Sequence, residues 1–292
     1  MRTEQVPARL ERFPRISLAN LPSRLEALPR LRSLLGGPRL FIKRDDALIP
    51  SFSGNKVRKL EFIIGDAIAK KSNTLVTSGH TQSIHARLTA MVARKLGLDV
   101  SSVLYSEKGD KVEDEERSGN LLLDVILGAK ITYVDGYDAI DHALSEVVHG
   151  LRQNGRRPYL IPTAGYAPLG ALGHVNRFAE TDSQAAEMGI KASHILTASG
   201  SGGTQSGLVL GKELSGKRIK ILGISDGAPK GQIIRNVMEL TERTRKLLFA
   251  SDEKNQVTAT GRHHIAVYDE VSGKSIASLK GRLLTQSNSS PR

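Results

Sequence analysis

The sequence predicts an α/β protein built on a doubly wound, mostly parallel sheet. Three observations carry that expectation. Short apolar or β-branched runs at residues 40–43, 74–77, 100–104, 130–134, 159–161, 194–198 and 219–225 alternate with longer segments whose apolar residues recur at helical spacing. Such alternation is the signature of parallel βαβ units. Three loops that directly follow strand-like runs, 77–83, 162–170 and 199–204, carry glycine and hydroxyl residues. Open α/β sheets bind their ligands at that end of their strands. Finally, the 292 residues are 39% hydrophobic and 25% charged, ordinary for a globular chain and enough for one large α/β domain or two smaller ones.

In chain order, residues 1–20 read as an irregular arm. Ser23 to Leu35 carries Leu25, Leu28, Leu31 and Leu35, a helical pattern closed by Gly36-Gly37-Pro38. Leu40 to Lys43 reads as a short strand. Ser53-Gly54-Asn55 is a tight turn that opens a helix from Lys56 to about residue 70, with Leu60, Ile63 and Ile64 on one face. Asn55 is placed to accept hydrogen bonds from the first-turn N–H groups. Thr74–Thr77 is a strand running into Ser78-Gly79-His80-Thr81-Gln82-Ser83, and a helix from Ser83 to Leu96 ends at Gly97. Strands at 100–104 and 130–134 flank a helix over 120–127, and a helix over 137–152 precedes the strand at 159–161. A helix over 170–188, a strand at 194–198, a glycine-rich loop with its helix, a strand at 219–225 and a helix over 232–248 follow. The polar tail from Thr285 to Arg292 reads as disordered.

Composition removes several function classes. Without cysteine there is no disulfide, thiolate nucleophile or Cys-type zinc site. The net charge of +12 and pI near 9.9 come from scattered basic residues, with small clusters at Arg156-Arg157 and Lys217–Lys220. Only 4% of residues are aromatic, too few for base-stacking platforms, so no nucleic-acid partner is expected. Met1 to Arg15 has no apolar signal core. No run approaches the roughly 18 apolar residues of a membrane span. A cytoplasmic enzyme is the expectation, with no metal.

Two segments carry chemistry. Lys56 sits in the first turn of its helix, against the positive end of the dipole, where an amine of lowered pKa suits Schiff-base formation with an aldehyde. Gly200, Ser201, Gly202, Gly203 and Thr204 follow a strand and open a helix, so backbone N–H groups and hydroxyls converge where a phosphate would sit. The loop lacks the Gly-Lys-Ser/Thr ending of a Walker A motif. A Schiff-base lysine and a phosphate cup describe the two ends of pyridoxal 5′-phosphate.

On Ile42-Lys43-Arg44-Asp45-Asp46, Gly54-Asn55-Lys56 with Arg58-Lys59-Leu60-Glu61, Gln82-Ser83 with His85-Ala86-Arg87, Gly119-Asn120-Leu121-Leu122, Pro168 to Gly173 and Gly200 to Gly207, the chain resembles the D-cysteine desulfhydrase and 1-aminocyclopropane-1-carboxylate deaminase family. These are fold-type II pyridoxal-phosphate enzymes, tryptophan synthase β-like. The resemblance covers roughly residues 15 to 227. It implies two doubly wound α/β domains, a smaller one at 60–168 and a larger cofactor-binding one from 1–59 plus 169–292. It also implies a homodimer, a small amino-acid substrate, Lys56 as the cofactor's lysine, Ser83 facing the substrate, and a phosphate cup at Gly200 to Thr204. Lys43, Arg58 or Arg87 would attract the substrate carboxylate.

Three departures stand out. Ile84 replaces the asparagine of the family's Gln-Ser-Asn-His, and Tyr166-Ala167 replace a Ser-Asn pair. The C-terminal segment is short: Asp269 to Lys274 resembles part of a ring-contacting stretch, with Ser272 at the pyridine-nitrogen position. A neutral hydroxyl there suits β-elimination better than cyclopropane deamination, which points to carbon–sulfur lyase chemistry such as desulfhydration of D-cysteine, with cyclopropane deamination or sulfite elimination from cysteate as the alternatives on the same scaffold. The short C-terminus also predicts exposed apolar surface on the larger domain unless a partner subunit covers it. A homologue that binds the cofactor or an anion without turnover is the reading of another class.

Overall fold

The structure, a computed structural model, describes residues 5–49, 54–106, 118–250 and 265–269. The N-terminal part contributes α1 (Gln5–Leu10), β1 (Leu25–Ala27), α2 (Pro29–Leu35) and β2 (Phe41–Lys43), with β1 and β2 paired antiparallel. Two expectations change here. The arm contains a helix, because Val6 and Leu10 bury against Phe62, Leu172 and Leu214. The helical pattern over 23–35 splits into strand and helix. Pro29 occupies the first turn of α2, and the residue before a proline is pushed out of helical geometry.

The central part runs α3 (Lys56–Ala69), β3 (Thr74–His80), α4 (Ile84–Lys95), β4 (Asp99–Ser106), α5 (Gly119–Ile126), β5 (Lys130–Asp135), α6 (Ile140–Gln153) and β6 (Pro158–Leu160). Its four strands form a parallel sheet in the order β5-β4-β3-β6. The chain steps outward from β3 to β5, then returns to the far side of β3. That reversal makes the carboxyl ends of β3 and β6 a switch point, where diverging loops leave a crevice. The predicted boundary between residues 59 and 60 falls inside α3.

The last part runs α7 (Pro168–Glu187), β7 (His194–Ser199), α8 (Gly203–Ser215), β8 (Lys220–Ser225), α9 (Lys230–Leu248) and β9 (Ala266–Tyr268), the last not foreseen from sequence. Its strands form a second parallel sheet in the order β7-β8-β9. Both crossovers step in one direction, so right-handed connections put α8 and α9 on the same face. Phe178, Val209, Ile221, Val237 and Val267 fill the core there. The opposite face presents Leu196 and Tyr268, 61% and 46% exposed, beside half-buried Leu222 and Ile224.

Helix α7 joins the halves. A Cβ at Gly173 would lie 2.1 Å from the Arg58 carbonyl oxygen, and one at Gly207 would lie 2.4 Å from that of Ala171. Glycine at these two points lets α3 and α8 approach α7 to backbone contact. The starts of α3 and α8 are thereby brought together.

Candidate active site

The site assembles from the N-termini of α3, α4 and α8 and the loop after β6. Lys56 opens α3 as predicted. Burial lowers the pKa of its amine, and the Asp226 carboxylate partly offsets this. The direction matches the sequence expectation, but desolvation is the main cause. Asn55 does not cap α3. Its backbone is already helical, so its side chain cannot fold back over the first-turn N–H groups. Instead its Nδ2 donates to Thr204 Oγ1 at 3.2 Å, tying the start of α3 to the start of α8.

Gly200 to Thr204 form the loop into α8. Gly202 adopts the left-handed region at φ +83°, and Ser201 Oγ accepts from the Gly203 N–H at 3.4 Å. Thr204 is buried, and its hydroxyl is engaged with Asn55 and with His174 Nε2, 3.3 Å away. Its hydroxyl thereby ties the start of α8 to α3 and α7. Burial holds His174 neutral, helped by Lys59 and other nearby cations.

Sequence reasoning missed Lys59. This lysine is fully buried one helical turn from Lys56, with Nζ donating to the Ala164 carbonyl at 3.0 Å. A Cβ on Gly203 would sit 2.7 Å from that Nζ, so the amine lies directly under the glycine loop. Burial pushes its pKa well down, and Lys56 pushes the same way. The signal was present: residues i and i+3 at a helix start share a face. Tyr166 closes the same wall, its hydroxyl donating to the Asn236 carbonyl at 2.7 Å.

Ser83 is the N-cap of α4, its Oγ accepting from the Ala86 N–H at 3.2 Å. It occupies space that only glycine leaves free, since a Cβ on Gly79 would lie 2.6 Å from Ser83 Oγ. Ile84 is half exposed, its Cγ2 3.5 Å from where a Cβ of Gly54 would be. His85 Nε2 lies 3.0 Å from Thr77 Oγ1, and burial drives its pKa down to about 3.

The proposed carboxylate attractors are engaged elsewhere. Arg58 is buried against Asp45 and Glu180, each at 2.9 Å. Lys43 pairs with Glu180 at 2.5 Å and with Gln184. Arg87 is buried and lies near Asp124. Ser272, Lys274, His263 and His264 lie outside the described residues.

A family model described as pyridoxal-phosphate dependent enzyme matches residues 16–271. The chain belongs to this family. It is 37% identical over 256 residues to a D-cysteine desulfhydrase of Salmonella choleraesuis (strain SC-B67), covering 88% of this chain and 75% of the relative. A D-cysteine desulfhydrase of Klebsiella pneumoniae is 38% identical over 250 residues, 82% of this chain and 76% of the relative. The crystal structure of an ACC (1-aminocyclopropane-1-carboxylate) deaminase homologue superposes with a TM-score of 0.79 at 33% identity, over 90% of this chain and 76% of that one. A diaminopropionate ammonia lyase of Escherichia coli, at 17% identity and a TM-score of 0.59 over 80% of this chain and 67% of that one, shares the fold. The fold is thus the fold-type II, α/β architecture expected, and the protein is a pyridoxal-phosphate-dependent enzyme.

The residues fit that cofactor. The glycine loop leaves a cradle that a side chain at Gly203 would fill, at a helix N-terminus that favours phosphate. Lys56 and Lys59 flank it, and among the described residues no carboxylate offsets the burial of Lys59. A phosphate in that cradle would supply the counter-charge that lets the Lys59 amine carry its proton.

Proposed function

We propose that the protein is a β-eliminating lyase acting on D-cysteine, converting it with water to pyruvate, sulfide and ammonia. The observation that carries this reading is the meeting of Lys56, Lys59 and the glycine loop beside Ser83, in a chain similar to D-cysteine desulfhydrases over most of its length. Lys56 holds the cofactor's aldehyde end, and Gly200 to Gly203 with Lys59 hold its phosphate. Asn55 and Thr204 brace that arrangement, and Ser272 serves the pyridine nitrogen.

Pyridoxal phosphate, when bound, supplies an aldehyde that condenses with the substrate amine and a ring that accepts the electron pair left at the α-carbon. The remaining work falls to the chain. Lys56, its charge disfavoured by burial, takes the α-proton as a neutral amine. Ser83 uses a lone pair in the α4 cap and so keeps its hydroxyl proton to donate into the crevice. The α4 N-terminus adds N–H groups that suit the substrate carboxylate, in place of Lys43, Arg58 and Arg87. Ile84 and Tyr166 narrow the crevice and exclude water.

The same reading treats 60–168 as the smaller domain and the protein as a cytoplasmic homodimer. Cyclopropane deamination is the second reading, favoured by the likeness to the ACC deaminase homologue. Borohydride should leave a cofactor mass on the Lys56 peptide, and Lys56→Ala should abolish that adduct and lower turnover by about a hundredfold to ten-thousandfold. Sulfide and pyruvate release from D-cysteine, assayed beside the cyclopropane substrate and cysteate, decides between the readings. Ammonia without sulfide, from the cyclopropane substrate alone, would replace the first with the second.

A further inference from the structure

The turn that carries Ser83 is held from outside the crevice. Gln82 is exposed on that turn, yet it is fastened at three points to the start of α5. Its Oε1 accepts from the Asn120 N–H at 2.9 Å. Its Nε2 donates to the Ser118 carbonyl at 3.0 Å. Its own carbonyl accepts from Asn120 Nδ2 at 2.8 Å. The Gln82 amide thus pairs with backbone as a neighbouring strand would, while the Asn120 amide returns the bond.

Gly119 makes this seat possible. Its φ is +56°, in the left-handed region, and a Cβ there would fall 2.7 Å from Gln82 Oε1. Any side chain would push Gln82 out. The turn is braced internally as well. The Gln82 N–H donates to His80 Nδ1 at 3.1 Å, the Ser83 N–H to the His80 carbonyl at 2.8 Å, and the Thr81 N–H to the Tyr105 carbonyl at 3.1 Å. Ser83 therefore sits on a four-residue turn whose outer side is bolted to the start of α5.

We infer that Asn120 and Gly119 are positioning residues that hold the Ser83 turn through Gln82. Neither touches the reacting atoms. Their effect on turnover rests on the reading above that Ser83 works at the reacting carbon. A helix start two elements away thereby sets where the hydroxyl points. Exposed hydrogen bonds contribute little each, but three locked in one register restrict the turn far more than any one alone. Displacing a catalytic hydroxyl by an ångström costs rate rather than binding.

The test uses the full-length holoenzyme carrying Asn120→Ala, Asn120→Asp or Gly119→Ala. The aspartate variant keeps size but sets an oxygen against the Gln82 carbonyl, and so guards against a folding defect in the others. Peptide-resolved amide exchange should accelerate at least about tenfold across residues 80–86 and stay unchanged across 56–69. With D-cysteine, kcat should fall about tenfold or more at unchanged KM, melting temperature and visible cofactor band. Exchange at 80–86 within about twofold of the parent in both Asn120 variants would overturn the inference. So would a rate loss that merely tracks lost cofactor. If exchange accelerates while Ser83→Ala keeps full turnover, the tie stands and the serine reading falls instead.

Discussion

Arg58 and Lys59 are neighbours on one helix, both about 1% exposed, yet their surroundings are opposite. Arg58 enters a saturated network: Asp45 and Glu180 pair with it, Ser23 Oγ accepts from it at 2.9 Å, and Arg177 and Lys43 share the same acids. Its charge is secured, since those hydrogen bonds and acids outweigh the burial that opposes it. Lys59 has one backbone carbonyl and a second lysine nearby, and burial drives it toward neutrality. A buried charge with partners fastens the fold, and a buried amine without a counter-ion marks a place for an anion. The two lie within one turn because α3 faces α7 on one side and the glycine loop on the other.

That contrast can be broken by substitution. Arg58→Met should cost about 3–5 kcal/mol of stability, because it strands Asp45 and Glu180 partly uncompensated. Denaturant titration of the cofactor-free protein reads this directly. Lys59→Met should leave that stability unchanged or raised, since it removes a desolvated amine rather than a paired one. It should weaken pyridoxal-phosphate binding by about tenfold to a hundredfold, the worth of a charged hydrogen bond to phosphate. Equal destabilisation by both substitutions would erase the distinction drawn here.

The pH dependence sharpens it. In the cofactor-free protein Lys56 and Lys59 both titrate below their ordinary 10.5, so the unfolded chain binds more protons in that window. Stability should therefore rise with pH up to about 10.5, and Lys59→Met should flatten the rise. Arginine 58 stays charged throughout and contributes no slope. A smaller effect is expected at Asp124, buried on α5, whose carboxyl is pushed up to about 7 by burial, partly offset by Arg87. Here the folded state binds the extra proton, so stability should fall between pH 3.8 and about 7. Asp124→Asn should remove that fall, as thermal melts across the range would show.

Much was legible locally. The starts of α3, α4 and α8 are written in Gly54-Asn55-Lys56, Ser83 and Gly200 to Gly203, because turn and helix-start chemistry acts over a few residues. Strand–helix alternation likewise announced the parallel sheets, and the cofactor followed from two such motifs read together. One failure was local and the others were not. Leu28 and Pro29 were read as one helix, though the local rule against it was in view. Asn55 was assigned to its own helix, but its partner Thr204 is 149 residues away. Arg58 and Lys59 are told apart by partners outside their helix, Asp45 and Glu180 for one and the Ala164 carbonyl for the other.

The sequence by itself therefore determined most of the strands and helices, the lysine and the glycine loop that suit the cofactor's two ends, and the family they resemble. These follow from short-range patterns and from residue types that few chemistries require. The tertiary structure alone decided which charges are spent on the fold and which are left for a ligand. Pairing is a property of distances across the chain, and those are set only when α7 packs against α3 and α8 at glycine contacts.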